Sequence, residues 1–141
     1  MGNLRDHFSG HVGIPTSWVH HIVIYYPSMV YIGRDVYTAY GTWIVGAGEI
    51  RIGDEVMFGP YCVLAAGSQT FKNGSYRYDL ETQETISVGF GCWIGAHVVI
   101  HGGANIGNSC LIGSNSVVRG GTIPENSICG GIPARVLKVE E

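Results

Sequence analysis

Charge is scarce in this sequence. Eight lysines and arginines stand against eleven aspartates and glutamates, and charged residues make up only 13% of the chain. Surface helices need broad solvated faces, so a composition this poor in charge argues against a helical fold. The net charge of −3 supplies no basic stripe, which excludes nucleic acid as a partner and leaves any anionic ligand dependent on a few local cations. Long apolar runs are missing too. Nothing approaches the roughly 18 uninterrupted apolar residues of a membrane span, and the opening MGNLRDHFSG has no apolar core of a secretory signal. Together these absences predict a soluble, cytoplasmic protein without a membrane partner. Paired cysteine spacing is also absent: Cys62, Cys92, Cys110 and Cys129 form no CxxC, which argues against a zinc knuckle and against a secreted disulfide framework. At 141 residues the chain is a single domain, 1–141, and a site too large for it must be shared between subunits.

What the sequence has in excess is glycine, 22 residues, and the reason is a repeat of six. Ile52, Phe58 and Leu64 form one apolar run, and Val88, Ile94, Ile100, Ile106, Ile112 and Val118 form a second. One place after these positions stand Gly53, Gly59, Gly89, Gly95, Gly107 and Gly113, and four places after stand small or β-branched residues such as Val56, Cys62, Cys92, Val98 and Cys110. Residues six apart fall about 120° apart around a helix, so a repeat of six spreads over all sides and is not one amphipathic helix. A short strand with a corner every six residues accounts for it. Three flat sides close an 18-residue coil, stacking Val88 under Ile106, Ile94 under Ile112 and Ile100 under Val118. The predicted fold is therefore all-β, a parallel β-helix in which each coil pairs its backbone with the coils above and below. Cys92 and Cys110 would stack one coil apart as small apolar fillers.

The frame breaks twice. Ile32, Ile44 and Ile50 run two residues out of step with Ile52, and Thr38 interrupts the apolar series, which suggests an irregular cap over 1–29 and first coils over 30–68. The polar segment QTFKNGSYRYDLETQET predicts an extruded loop over 69–85, after which coils resume over 86–123. Pro124 and Pro133 are expected to end the regular coils, leaving 124–141 as a capping tail. The repeat does not give the hand of the coil, since crossovers between parallel strands are normally right-handed.

The stretch CWIGAHVVIHGGANIGNSCLIGSNSVV, followed by IPENSICGGIPARVLK, resembles the C-terminal half of the hexapeptide-repeat acetyltransferases, near the galactoside, maltose and nodulation-factor group. The resemblance rests above all on the WIGA box at Trp93–Ala96, the SNSVV coil and the GIPAR tail. It implies a left-handed parallel β-helix, a homotrimer, and acetyl-CoA as acyl donor bound in the groove between neighbouring prisms, with no metal. Carried over by position, Trp93, Ala96 and Ser114 would line the coenzyme groove, and Arg119, Arg135 and Lys138 would be the cations near its phosphates. A phosphorylated ligand on an acidic protein needs such cations. The turn at Gly120–Thr122 is one residue longer than the family's, where a lysine commonly sits.

The resemblance fails at the catalytic position. The family's histidine, which takes the proton from the acceptor hydroxyl, corresponds here to Gln69, and an amide cannot accept that proton. Loss of a general base costs about 10²–10⁴ in rate. The asparagine that helps position the acceptor is also missing, with Ala39 in its place. Three explanations stand side by side: an amine acceptor with less need of a base, another residue in the role (His97, His101, Tyr76 or Tyr78), or a chain that has lost activity and serves as a binding scaffold. His97 and His101 fall at corner and turn positions, where surface histidines are the default. A zinc site of the γ-carbonic-anhydrase kind would need a wider histidine spacing and a third histidine. Phe71, Tyr76, Arg77 and Tyr78 in the loop could wall a sugar-like or aromatic acceptor. The function this resemblance implies is transfer of an acetyl group to a hydroxyl or amino group of a small acceptor, a sugar derivative.

Overall fold

The computed structural model describes residues 17–18, 22–78 and 82–141. Five coils of three strands each build a triangular prism. The first holds β1 (Ser17–Trp18), β2 (Val23–Tyr25) and β3 (Val30–Ile32), and the second holds β4 (Tyr37–Thr38), β5 (Trp43–Val45) and β6 (Ile50–Ile52). The third holds β7 (Met57–Phe58), β8 (Val63–Ala65) and β9 (Ile86–Val88). The fourth holds β10 (Trp93–Ile94), β11 (Val99–His101) and β12 (Ala104–Ile106), and the fifth β13 (Leu111–Ile112), β14 (Val117–Val118) and β15 (Gly121–Ile123). Two last strands, β16 (Ser127–Gly131) and β17 (Ala134–Val139), finish the described chain. Each face of the prism is a parallel sheet, taking every third strand up to β16; β17 then folds back antiparallel on β16 after the cis Ile132–Pro133 bond.

The expected stacking is present: Val88 pairs with Ile106, Ile94 with Ile112 and Ile100 with Val118. These side chains, with Phe58, Leu64 and the four cysteines, fill a core in which each is nearly fully buried. Burial of such side chains from stacked coils is the main force holding the prism together. The corners are satisfied by a repeated device. Asp54 Oδ1 accepts from the Arg34 backbone N–H at 2.7 Å, and Asn108 Oδ1 from that of Phe90 at 2.9 Å, so a side chain of one coil caps the corner of the coil below.

Two features differ from the sequence reading. The cap expected over 1–29 contains β1 and β2, already paired with β4 and β5; residues 1–16 and 19–21 of it lie outside the described residues. The tail expected beyond the coils adds β16 to the first face, Ile128 over Leu111 and Cys129 over Ile112. Pro124 does not stop the prism because it sits at a corner, where its missing N–H breaks no ladder.

The two-residue frame shift also has a location. Lower coils repeat every twenty residues, as in Val30 to Ile50, and upper ones every eighteen, as in Ser87 to Asn105, shortening to seventeen at the end, as in Asn105 to Thr122. The whole difference falls at the corner between the second and third faces. Only Gly102 and Gly103 turn this corner in the fourth coil, whereas residues 46–49 turn it in the second and residues 66–85, the extruded loop, in the third.

Candidate functional site

The corner between the first and second faces carries the WIGA box. Trp93 points outward from β10, half-exposed, between Met57 and Leu111 of the neighbouring coils. Ala96 follows at the corner, its N–H donating to Ser114 Oγ at 3.1 Å and its carbonyl accepting from the Asn115 N–H at 2.9 Å. Gly59 and Gly95 keep this edge flat, since a Cβ on either would fall 2.7 Å from the backbone nitrogen of the coil above. His97 lies on the same corner with φ 57°, a left-handed geometry held by its N–H to Pro60 O at 2.9 Å. Its ring stacks on Tyr61 at 5.4 Å, and Tyr61 in turn meets the edge of Tyr40 at 5.6 Å. His97 is thus part of an aromatic column, one full face away from the corner that extrudes the loop. A single prism does not bring it to Gln69.

The corner between the second and third faces carries the other group. Arg119 and Arg135 line one cleft of about 200 Å³ with Gly120, Gly121 and Thr122, where β17 folds over the end of the prism. Two guanidinium groups and a floor of glycine backbone suit a phosphorylated ligand, because arginine forks match phosphate oxygens and glycine lets the ligand approach the chain. Lys138, named with them from sequence, does not line this cleft; it pairs with Glu140 at 3.3 Å on the exposed side of β17.

Lower on the same corner the loop rises. Gln69 is exposed at its start, and the base is closed by an antiparallel bridge between Ser68 and Thr82. The tip is a two-residue hairpin turn: Asn73 and Gly74 both have positive φ, and Lys72 and Ser75 exchange both backbone hydrogen bonds. This is a type I′ turn, whose two positive-φ positions an Asn-Gly pair fills readily. Phe71 and Tyr76 pack on each other at 4.9 Å, while Arg77 lies over the Tyr78 ring at 5.3 Å. Tyr78 joins Lys72, Asn73 and Ser75 around a hollow of about 380 Å³. Of the four loop residues singled out in the sequence, only Tyr78 lines it.

The cysteine thiols all face the core. Cys92 Sγ donates to Gly107 O at 3.1 Å, and burial pushes its pKa up to about 11; burial also raises Cys62 and Cys129. Thiols held protonated in this way are packing groups, not nucleophiles. Among the described residues no three His, Cys, Asp or Glu side chains converge as a metal site would require, and no helix is long and apolar enough to cross a membrane.

Comparison with known proteins matches this architecture. The family described as bacterial transferase hexapeptide (six repeats) covers residues 85–120. Galactoside O-acetyltransferase of Escherichia coli (strain K12) is 32% identical over 123 residues, which is 86% of this chain and 60% of that protein, so the chain spans about three-fifths of this relative's length. A maltose O-acetyltransferase from Clostridium difficile 630 superposes with a TM-score of 0.88 at 29% identity, over 98% of this chain and 73% of that one. A hexapeptide-repeat acetyltransferase from Vibrio cholerae, in complex with acetyl coenzyme A, superposes with a TM-score of 0.84 at 26% identity, over 96% and 73%. By repeat and architecture the chain is a β-helix of hexapeptide repeats, and in sequence and fold it is similar to the galactoside and maltose O-acetyltransferases.

Proposed function

We propose that this protein binds acetyl-CoA and transfers its acetyl group to a hydroxyl or amino group of a small, sugar-like acceptor, and that it does so as a homotrimer. The observation that carries the reading is the cleft of about 200 Å³ lined by both Arg119 and Arg135. It offers two cations in one hollow on a chain with net charge −3, as a polyphosphorylated donor requires. The relatives support the donor: one similar structure holds acetyl coenzyme A, and two similar proteins are named as sugar O-acetyltransferases.

The division of the site supports assembly. Trp93, Ala96 and Ser114 belong to one corner, and Arg119, Arg135 and the loop to another, with the second face between them. One prism cannot fold both groups around a single ligand. Two prisms can, if the corner of Ala96 borders the next copy's loop corner, and a head-to-tail contact of this kind closes into a ring. The first face presents Tyr37, Met57, Trp93, Leu111 and Ile128 outward in a continuous apolar column, with Lys138 of β17 next in the row, and this column favours contact with another copy. The chemistry would be direct attack of the acceptor on the thioester, held in place by both walls, with no covalent acyl-enzyme.

Calorimetric titration of acetyl-CoA tests the reading without knowledge of the acceptor. Micromolar binding is expected, weakened about 10–100-fold in Arg135→Ala, the worth of one charge-assisted contact. No binding to the wild-type protein would overturn it.

A further inference from the structure

Glu84 occupies the point where the extruded loop re-enters the prism. Its backbone packs against Gly48 of the coil below, where a Cβ would fall 2.5 Å from Glu84 O, and its side chain packs against Gly102 of the coil above, where a Cβ would fall 2.6 Å from Glu84 Cβ and 2.9 Å from Oε2. Gly67, at the outgoing end of the loop, meets the same spot through its N–H. The carboxylate makes no ion pair among the described residues. One coil higher on this corner, Gly121 N–H bonds Gly103 O at 3.0 Å, and the Arg119–Arg135 cleft begins. Along the corner from the base of the loop to that cleft the backbone is largely glycine, and Glu84 stands exposed among it, on the returning side of the loop whose outgoing side carries the exposed Gln69.

We propose that Glu84 is the proton acceptor of the transfer and that the acceptor substrate is a primary amine, an amino sugar or a compound of similar size. The proposal rests on the acetyl-CoA reading above. A carboxylate is a weaker base than an imidazole and suits an alcohol's proton poorly. It suits an amine well, because the neutral amine is itself the nucleophile and its proton becomes acidic only after the nitrogen has bonded to the carbonyl carbon. In the step, the neutral amine nitrogen attacks the thioester carbonyl, the C–N bond forms and the carbonyl oxygen takes the displaced electron pair. The nitrogen, now positively charged, gives one proton to the Glu84 carboxylate. The adduct collapses, the C–S bond breaks, and the departing thiolate takes that proton from Glu84, leaving an amide and free CoA with the carboxylate restored.

The test uses paired acceptors that differ only in amine for hydroxyl, glucosamine with glucose and galactosamine with galactose, with CoA release as the readout. The wild type is expected to turn over the amines at least tenfold faster than the sugars. Glu84→Gln should lower kcat for the amine by about 10²-fold or more, the size of a general-base contribution, while its calorimetric affinity for acetyl-CoA stays unchanged. Glu84→Asp, which keeps the carboxylate, should recover part of the rate. A Glu84→Gln protein as fast as wild type, or sugars preferred over amines, would overturn the proposal. So would no turnover of either series by a protein that binds acetyl-CoA, which leaves the donor site standing. Failure of the wild type to bind acetyl-CoA would instead remove the reading on which the proposal depends.

Discussion

Thr38 is the one core position where the hexapeptide pattern lapses. It stands on the first face directly below Phe58, fully buried, and its Oγ1 has no hydrogen-bond partner among the described residues. An unsatisfied buried hydroxyl costs roughly 1–3 kcal/mol of desolvation. Thr38→Val keeps the shape and removes the hydroxyl, so it should stabilise the fold by about 1 kcal/mol, read as a higher urea midpoint at unchanged slope. A lower midpoint would mean that the hydroxyl is bonded after all. Thr42, one corner on, shows the contrast: its hydroxyl donates to Ala39 O at 2.9 Å and fills the same kind of inward slot without strain.

At the scale of elements, the prism has one permissive corner. Three faces and two corners keep the hexapeptide spacing from β4 to β16, and every insertion falls between the second and third faces. The loop at 66–85 replaces a turn that Gly102 and Gly103 make with two residues in the next coil, and β8 and β9 keep their register with β11 and β12 on either side of it. Replacing residues 66–85 by Gly-Gly should therefore leave the β-sheet circular dichroism and cooperative unfolding intact. Acetyl-CoA binding should survive, and acceptor turnover should fall to background. Loss of folding on excision would show that the loop is part of the core rather than an addition to it.

For the whole molecule, the outward faces are unlike one another. The third face presents Tyr31, Arg51, Ser87, Asn105 and Thr122, with Arg51 paired to Glu49 and lying over the Tyr31 ring at 4.2 Å. The first face presents the apolar column from Tyr37 to Ile128. If that column seats against another copy, Met57→Glu buries a charge in the contact and should convert the assembly to monomer in light scattering, with loss of acetyl-CoA binding because half of the groove departs. A monomer that still binds with wild-type affinity would place the whole donor site in one prism.

The repeat was legible in the sequence by itself, because a strand of six residues per corner forces aliphatic side chains inward at fixed spacing, and Val88, Ile94, Ile100 and their successors could be stacked correctly from that spacing alone. The loop was legible for the same reason, as an interruption of the period. What the sequence could not decide was which corner each residue occupied in three dimensions. Residues His97 and Gln69 look adjacent to one site along the chain, yet a full face separates them, while Arg119 and Arg135, on opposite sides of a hairpin and a corner, come to line a single cleft. Along the chain, Glu84 is one acid among several in a polar loop. Its significance comes only from closure of the loop against Gly48 and Gly102, residues far from it in sequence that the winding of the coil brings beside it.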